Sequence, residues 1–324
     1  MKAILLCESD AWKRVYGPAQ LARLQEMVGL APEALRLTDA PDAELIFSTW
    51  GMPAPDATEI ARRFPSLRAV FYAAGSVQGF ARPFLEGGVR VFSAWRANAV
   101  PVAEYTVAQI MLAAKGYFGA QAAMRESREN AARAAAAHPG MYDIRIGLLG
   151  CGAIGRMVAE KLRDFACEVW VFDPFVKDDV LAELGARRAT MERIFESCDV
   201  VSNHLANLPS TRGIIRRDHF FSMREYATFV NTGRGAQLDE SDLFDMLRER
   251  PGATALLDVL QDEAHSDRNP LNALPNCFLT PHIAGSMGNE VRRMAEYMID
   301  ECARFLAGEK LVHEVTLPML ETMA

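Results

Sequence analysis

Several things are missing from this sequence, and the absences remove whole classes of function. Net positive charge is missing: at −7 the chain has no general attraction for phosphate backbones, which argues against nucleic-acid binding. Membrane-spanning length is missing too, because the longest apolar stretch, around Val100 to Ala114, is broken by Glu104 and falls short of a bilayer crossing. The amino terminus carries one lysine and turns acidic at once, so it reads as a first core strand and not as a signal peptide. Paired cysteines are absent: Cys7, Cys151, Cys167, Cys198, Cys277 and Cys302 lie far apart with no C-x-x-C spacing. That suits buried free thiols in a reducing cytoplasm, with no disulfide framework and no metal site. Repeats and low-complexity segments are also lacking.

What remains is the composition of a soluble globular enzyme, 50% hydrophobic and 24% charged, in a chain of 324 residues that is long enough for two domains. Short apolar runs alternate with amphipathic stretches almost throughout. Ala3–Leu6, Glu44–Phe47, Leu67–Tyr72 and Val89–Phe92 read as strands. Between them, Leu21, Leu24 and Met27 share a helical face, and Ala57–Phe64 is a helix bounded by Pro55 and Pro65. From Val100 to Ala137 the pattern predicts long, Ala-rich helix, stopped by His138-Pro139-Gly140.

A second series follows, with strands at Ile144–Leu149, Glu168–Phe172, Val200–Asn203, Thr228–Asn231 and Ala255–Val259. Helices are expected at Ile154–Phe165, Met191–Cys198 and Glu240–Arg248, and from about Met287 to Ala307. This rhythm predicts two α/β domains, each a parallel sheet covered on both faces.

The second series opens on Gly150-Cys151-Gly152-Ala153-Ile154-Gly155, which follows an apolar strand and leads into a helix with apolar Ile154, Val158, Leu162 and Phe165. In this pattern Gly150 permits the tight turn, Gly152 admits a pyrophosphate to the backbone, and Gly155 lets helix and strand pack closely. Asp173 ends the next strand, where a carboxylate accepts the ribose hydroxyls and repels a 2′-phosphate. Pro174 and Phe175 add no positive charge, so the expected cofactor is NAD.

Three later segments each put a polar group after a strand: Asn231–Gly235, Asp258–Glu263 and Thr280–Gly285. They contribute Arg234, Glu263 and His282, the side chains that oxidation of a hydroxy acid requires. Arginine grips a carboxylate with two prongs and polarises a neighbouring carbonyl. Histidine takes or returns the hydroxyl proton. A glutamate beside that histidine stabilises the imidazolium and fixes the ring.

With these motifs in order, and with Val102-Ala103-Glu104, Val201–Leu205, Thr211-Arg212-Gly213, Leu238-Asp239-Glu240 and Leu257-Asp258-Val259, the chain resembles the D-isomer-specific 2-hydroxyacid dehydrogenases. The resemblance implies a Rossmann NAD-binding domain, residues 99–286, inserted into a flavodoxin-like substrate domain, residues 1–98 and 287–324. It implies Arg234, Glu263 and His282 as the catalytic set acting on a small D-2-hydroxy acid or 2-oxo acid. Asp258 would hold the nicotinamide carboxamide, and His204, Thr232, Gly233 and Gly285, with the backbone of Ala153 and Ile154, would line the cofactor. Gly75, Ser76 and Val77 would present N–H groups to the substrate carboxylate. A homodimer is also implied, with Val100–Ala137 as a surface for it.

The chain departs from the family at several points. Ala264 stands where many members have proline, the run Ala131–Ala137 replaces a Trp-containing loop, and Trp50, Trp95 and Arg96 are unlike the commonest members. Two other functions fit the same fold: an NAD(H)-sensing, corepressor-like protein, and a formate or phosphite dehydrogenase. Glu263 argues against formate, whose branch has glutamine there.

Overall fold

Apolar runs rich in valine, isoleucine, leucine and phenylalanine become strands, and the amphipathic stretches between them become helices, in a computed structural model that describes residues 1–323. In chain order the strands are β1 (Ala3–Leu6), β2 (Ala34–Leu35), β3 (Leu45–Ser48), β4 (Ala69–Tyr72), β5 (Arg90–Ser93), β6 (Ile144–Leu149) and β7 (Cys167–Phe172). There follow β8 (Ala186–Arg188), β9 (Val200–Asn203), β10 (Thr228–Asn231), β11 (Thr254–Leu257), β12 (Cys277–Leu279) and β13 (Glu314–Val315).

The chain divides into two units. One comprises Met1–Ala99 together with the segment from Ser286 onward, and the other is Val100–Gly285.

In the first unit the parallel strands run β2-β1-β3-β4-β5, the flavodoxin-like order, and β13 adds antiparallel to β5 at the edge. Its core is aromatic. Phe47, Phe71 and Phe92 stack across adjacent strands at ring separations of 5.1 and 4.9 Å, and Phe305 of helix Val291–Ala307 meets the last two edge-on.

In the second unit the order is β8-β7-β6-β9-β10-β11-β12, all parallel. This is the dinucleotide-binding Rossmann order, extended by one strand. Helices cover both faces, so the strands are apolar on both sides. Ile194, Phe195, Phe220, Phe229 and Leu243 fill one layer, while Ile110, Ile146, Leu148, Val158 and Leu162 fill the other.

The expected helix over Val100–Ala137 is three helices: Trp95–Ala114, Tyr117–Ala123 and Arg128–Ala136. Gly116 breaks it with a left-handed φ of 62°, and Ser127 restarts it by accepting the Asn130 N–H as an N-cap. The last helix begins at Val291, after a turn at Gly288–Glu290, and not at Met287. Helices Ala81–Glu86 and Asp178–Glu183 and the short strands β2, β8 and β13 had no clear periodic signal. All six cysteines are free thiols. Among the described residues no helix is long and apolar enough to cross a membrane, and no acidic, histidine or cysteine cluster is set to hold a metal.

Candidate active site

The polar residues singled out in the second unit follow the carboxyl ends of its strands. The glycine turn follows β6, Asp173 follows β7, His204 follows β9, Thr232–Arg234 follow β10, Asp258 and Glu263 follow β11, and Thr280–Gly285 follow β12. Since β6 lies between β7 and β9, the strand order reverses there while all strands stay parallel, and such a switch point opens the crevice where α/β sheets take ligands.

At the turn, two glycines are required by the protein itself. Gly150 has φ 96°, and a Cβ there would lie 2.7 Å from the His204 carbonyl oxygen; at Gly155 it would lie 2.1 Å from that of Gly150. At Gly152, the N-cap of helix Ala153–Leu162, a Cβ would meet only open space, and no side chain caps the helix. First-turn N–H groups at Ala153, Ile154 and Gly155 are thus left without a capping side chain, the donor set that suits a pyrophosphate. Arg156 folds back over the turn, its Nε donating to the Cys151 carbonyl at 3.0 Å. These residues fit a dinucleotide.

Both oxygens of the Asp173 carboxylate are engaged by backbone N–H groups. Its Oδ2 accepts the Cys151 N–H at 2.7 Å, and its Oδ1 accepts those of Phe175 and Val176 at 2.8 and 3.0 Å. The carboxylate therefore ties the loop after β7 to the glycine turn. A positive charge is also nearer than Pro174 and Phe175 suggest. Arg188, ending β8, donates to the carbonyls of Asp173 and Val176 at 2.9 and 2.6 Å and pairs with Asp178. Strand pairing of β7 with β8 creates this contact, which local sequence does not show.

His204 is turned inward. Its ring nitrogens lie 2.9 Å from Ser202 Oγ and 3.4 Å from Thr232 Oγ1, and burial pushes its pKa down to about 3. Thr232 also meets Thr106 at 3.3 Å.

The Arg234 loop is shaped by three buried amides. Asn203 Nδ2 donates to Asn231 Oδ1 and Gln237 Oε1 at 3.0 and 2.6 Å. The same two oxygens accept the Gly233 and Arg234 N–H groups, each at 3.0 Å. Gln237 was not foreseen; its partners are remote in sequence, and only its place two residues after the Gly-Arg-Gly run hints at a role.

Arg234 itself donates from Nη1 to the Gly233 carbonyl at 2.7 Å. Burial pulls its pKa down from the ordinary arginine value, and the Glu263 carboxylate acts in the opposite direction. Glu263 in turn pairs with His282, Oε2 to Nδ1 at 2.9 Å, and both side chains reach solvent. Glu263 thus interacts with both Arg234 and His282. Without a proline at Ala264, the loop is held by His265 against Asp262 at 2.8 Å and by Asn269 against Glu240 at 2.8 Å.

Asp258 is buried, and its carboxylate accepts from the loop that carries His282: Thr280 Oγ1 at 2.7 Å, Ile283 N at 2.8 Å and Ala284 N at 2.8 Å. Gly285 closes this loop and the unit.

Gly75, Ser76 and Val77 belong to the first unit, just past β4, where the Ser93 hydroxyl donates to the Ala74 and Gly75 carbonyls at 2.9 and 2.7 Å. In the same unit Arg96 lies over the Trp95 ring at 4.9 Å, and the Trp50 carbonyl accepts from Ser9 Oγ at 2.6 Å.

Residues 107–284 match the family D-isomer specific 2-hydroxyacid dehydrogenase, NAD binding domain. A glyoxylate reductase of Korarchaeum cryptofilum is 28% identical over 309 residues, 93% of this chain and 87% of that protein. A D-3-phosphoglycerate dehydrogenase of Bacillus subtilis is 28% identical over 233 residues, 72% of this chain and 44% of that one. The chain spans about half the length of several of the curated relatives it matches. In fold, it is similar to the NAD-complexed D-isomer specific 2-hydroxyacid dehydrogenase of Lactobacillus delbrueckii, with a TM-score of 0.77 at 18% identity over 97% of this chain and all of that one. With more than half of its length matched and the glycine turn built to take a dinucleotide, the chain belongs to the D-isomer-specific 2-hydroxyacid dehydrogenase family, and its second unit is that family's NAD-binding domain.

Proposed function

We propose that the protein is an NAD-dependent oxidoreductase interconverting a small 2-oxo acid and the D-2-hydroxy acid. The observation that carries this reading is the His282–Glu263 pair at 2.9 Å, with Arg234 under the influence of the same glutamate, on the carboxyl edge of the cofactor sheet. The likeness to a glyoxylate reductase over most of the chain supports the substrate class.

Bound NADH supplies the hydride that reduces C2 of the 2-oxo acid, and NAD receives it in the reverse direction. Arg234 binds the substrate carboxylate through its planar fork and polarises the keto group. With Nδ1 held by Glu263, His282 presents Nε2 as the proton-carrying atom. In reduction, imidazolium His282 gives its proton to the keto oxygen; in oxidation, neutral His282 removes the hydroxyl proton. Glu263 keeps the ring oriented through both half-cycles. The same reading takes the protein as a cytoplasmic homodimer. Exposed Met111 and Leu112 on helix Trp95–Ala114, Tyr117 on helix Tyr117–Ala123 and Met124 at the C-cap of that helix support the dimer.

The test is NADH oxidation, followed at the nicotinamide absorbance, across glyoxylate, pyruvate, hydroxypyruvate and bulkier 2-oxo acids. Saturable turnover with at least one is expected. No oxidation with any of them, in a protein that still binds NADH, would favour a cofactor-sensing protein.

A further inference from the structure

We propose that Tyr105, Thr280 and Asp258 form a bracket that holds His282 in a left-handed turn, making all three positioning residues for proton transfer. This rests on the reading of His282 as the proton carrier.

His282 has φ 56°, a conformation disfavoured for a residue with a Cβ, and its only companion outside glycine among the described residues is Asp143. Such a backbone persists where its surroundings over-determine it. Here the surroundings are Asp258. The His282 N–H meets the carbonyls of Asp258 and Thr280, both at 3.0 Å. The next two N–H groups, of Ile283 and Ala284, go one to each oxygen of the Asp258 carboxylate at 2.8 Å, and the Thr280 hydroxyl donates to it at 2.7 Å. Residues on both sides of His282 are thus fastened to one aspartate that is only 3% exposed.

The direction of the outermost bond follows from valence. A carboxylate only accepts, so the Thr280 hydroxyl proton is spent on Asp258. Tyr105 OH, 3.0 Å from Thr280 Oγ1, is therefore the donor in that pair. The result is a chain in which each hydroxyl polarises the next, Tyr105 to Thr280 to Asp258. Tyr105 lies on helix Trp95–Ala114, remote in sequence from the loop it steadies. Relaxation of His282 toward the right-handed region would swing its ring away from Glu263 Oε2.

The experiment compares Thr280→Val, Thr280→Ser and Tyr105→Phe with the unaltered protein. The readouts are kcat at saturating NADH, the Kd for NADH by fluorescence, and the ring resonances of His282 by NMR. Thr280→Val is expected to lower kcat about tenfold, Tyr105→Phe about threefold, with the NADH Kd unchanged within about twofold, because a misdirected proton carrier costs rate without costing cofactor contacts. Thr280→Ser restores kcat because it restores the hydroxyl. In Thr280→Val the His282 ring signals move toward those of Glu263→Gln, and this readout needs no turnover, so it stands even if no 2-oxo acid is reduced. The proposal is overturned if Thr280→Val raises the NADH Kd while kcat holds, if Thr280→Ser is as slow as Thr280→Val, or if the His282 signals do not move.

Discussion

The glycine turn and the His282 loop lie on the same sheet edge, yet they are built in opposite ways. The turn is shaped by what is absent: Gly150 and Gly155 leave no room for a Cβ, and their contacts are the backbone oxygens of His204 and of Gly150 itself. The loop is shaped by what is present, a single buried aspartate gathering donors from Thr280, Ile283 and Ala284. A site made of close backbone approach is written in a short motif. One made of side-chain bonds is spread over the chain, and it can be adjusted residue by residue.

The largest effect expected from breaking this contrast is at Gly155. An alanine there would place its Cβ 2.1 Å from the Gly150 carbonyl oxygen, against backbone that cannot move aside. Gly155→Ala should weaken NADH binding at least ~100-fold and lower the stability of the unit by ~3 kcal/mol, as overpacking does. Gly152→Ala meets open space, so its unfolding midpoint should stay near that of the parent while NADH affinity falls about tenfold, where a ligand needs the room. Fluorescence titration and urea unfolding separate the two. Equal effects at both positions would remove the distinction between a glycine the fold needs and one the ligand needs.

A smaller effect concerns His204, whose carbonyl rests against Gly150 and whose ring is neutral and buried, with its pKa pushed from 6.5 down to about 3. The unfolded chain takes up a proton below about pH 6.5 that the folded protein refuses until about pH 3, so this group's contribution to stability falls as pH falls between them. The slope is ~1.4 kcal/mol per pH unit in that window. His204→Gln removes it, whereas His138, His219 and His313, also pushed down by burial, titrate alike in both proteins. Urea unfolding at several values between pH 6 and pH 4 should show the two stabilities converging by that slope. Parallel curves would mean that His204 is not the buried neutral group the geometry describes.

Legibility follows the same division. The places of the turn, Arg234 and Glu263 were legible because each follows a strand whose apolar run is plain, whereas β12, the three-residue strand ahead of His282, is not among the expected strands, and that histidine stands out only through the chemistry proposed for it. Strand ladders were readable where both faces are buried, as in Val200–Asn203 and Thr228–Asn231, whose bounds match the structure. Edge strands β2 and β13, of two residues each, carry no periodicity, and only their neighbours define them. The Ala-rich run concealed two breaks because alanine favours helix everywhere, so Gly116 and Ser127 decide its ends. Gln237, Arg188 and Tyr105 were silent for one reason. Each acts on a partner from another strand or helix, and no local pattern records that meeting.

The most direct test of the account is His282→Asn. Asparagine tolerates the left-handed backbone that His282 adopts, so the loop should keep its course while the proton carrier is lost. With the best 2-oxo acid found, kcat should fall by about 10²- to 10⁴-fold, the range a positioned acid–base contributes, and the Kd for NADH should remain within about twofold. Turnover equal to that of the parent, or a loss matched by an equal loss of NADH binding, would contradict the assignment of His282 as the group that moves the proton.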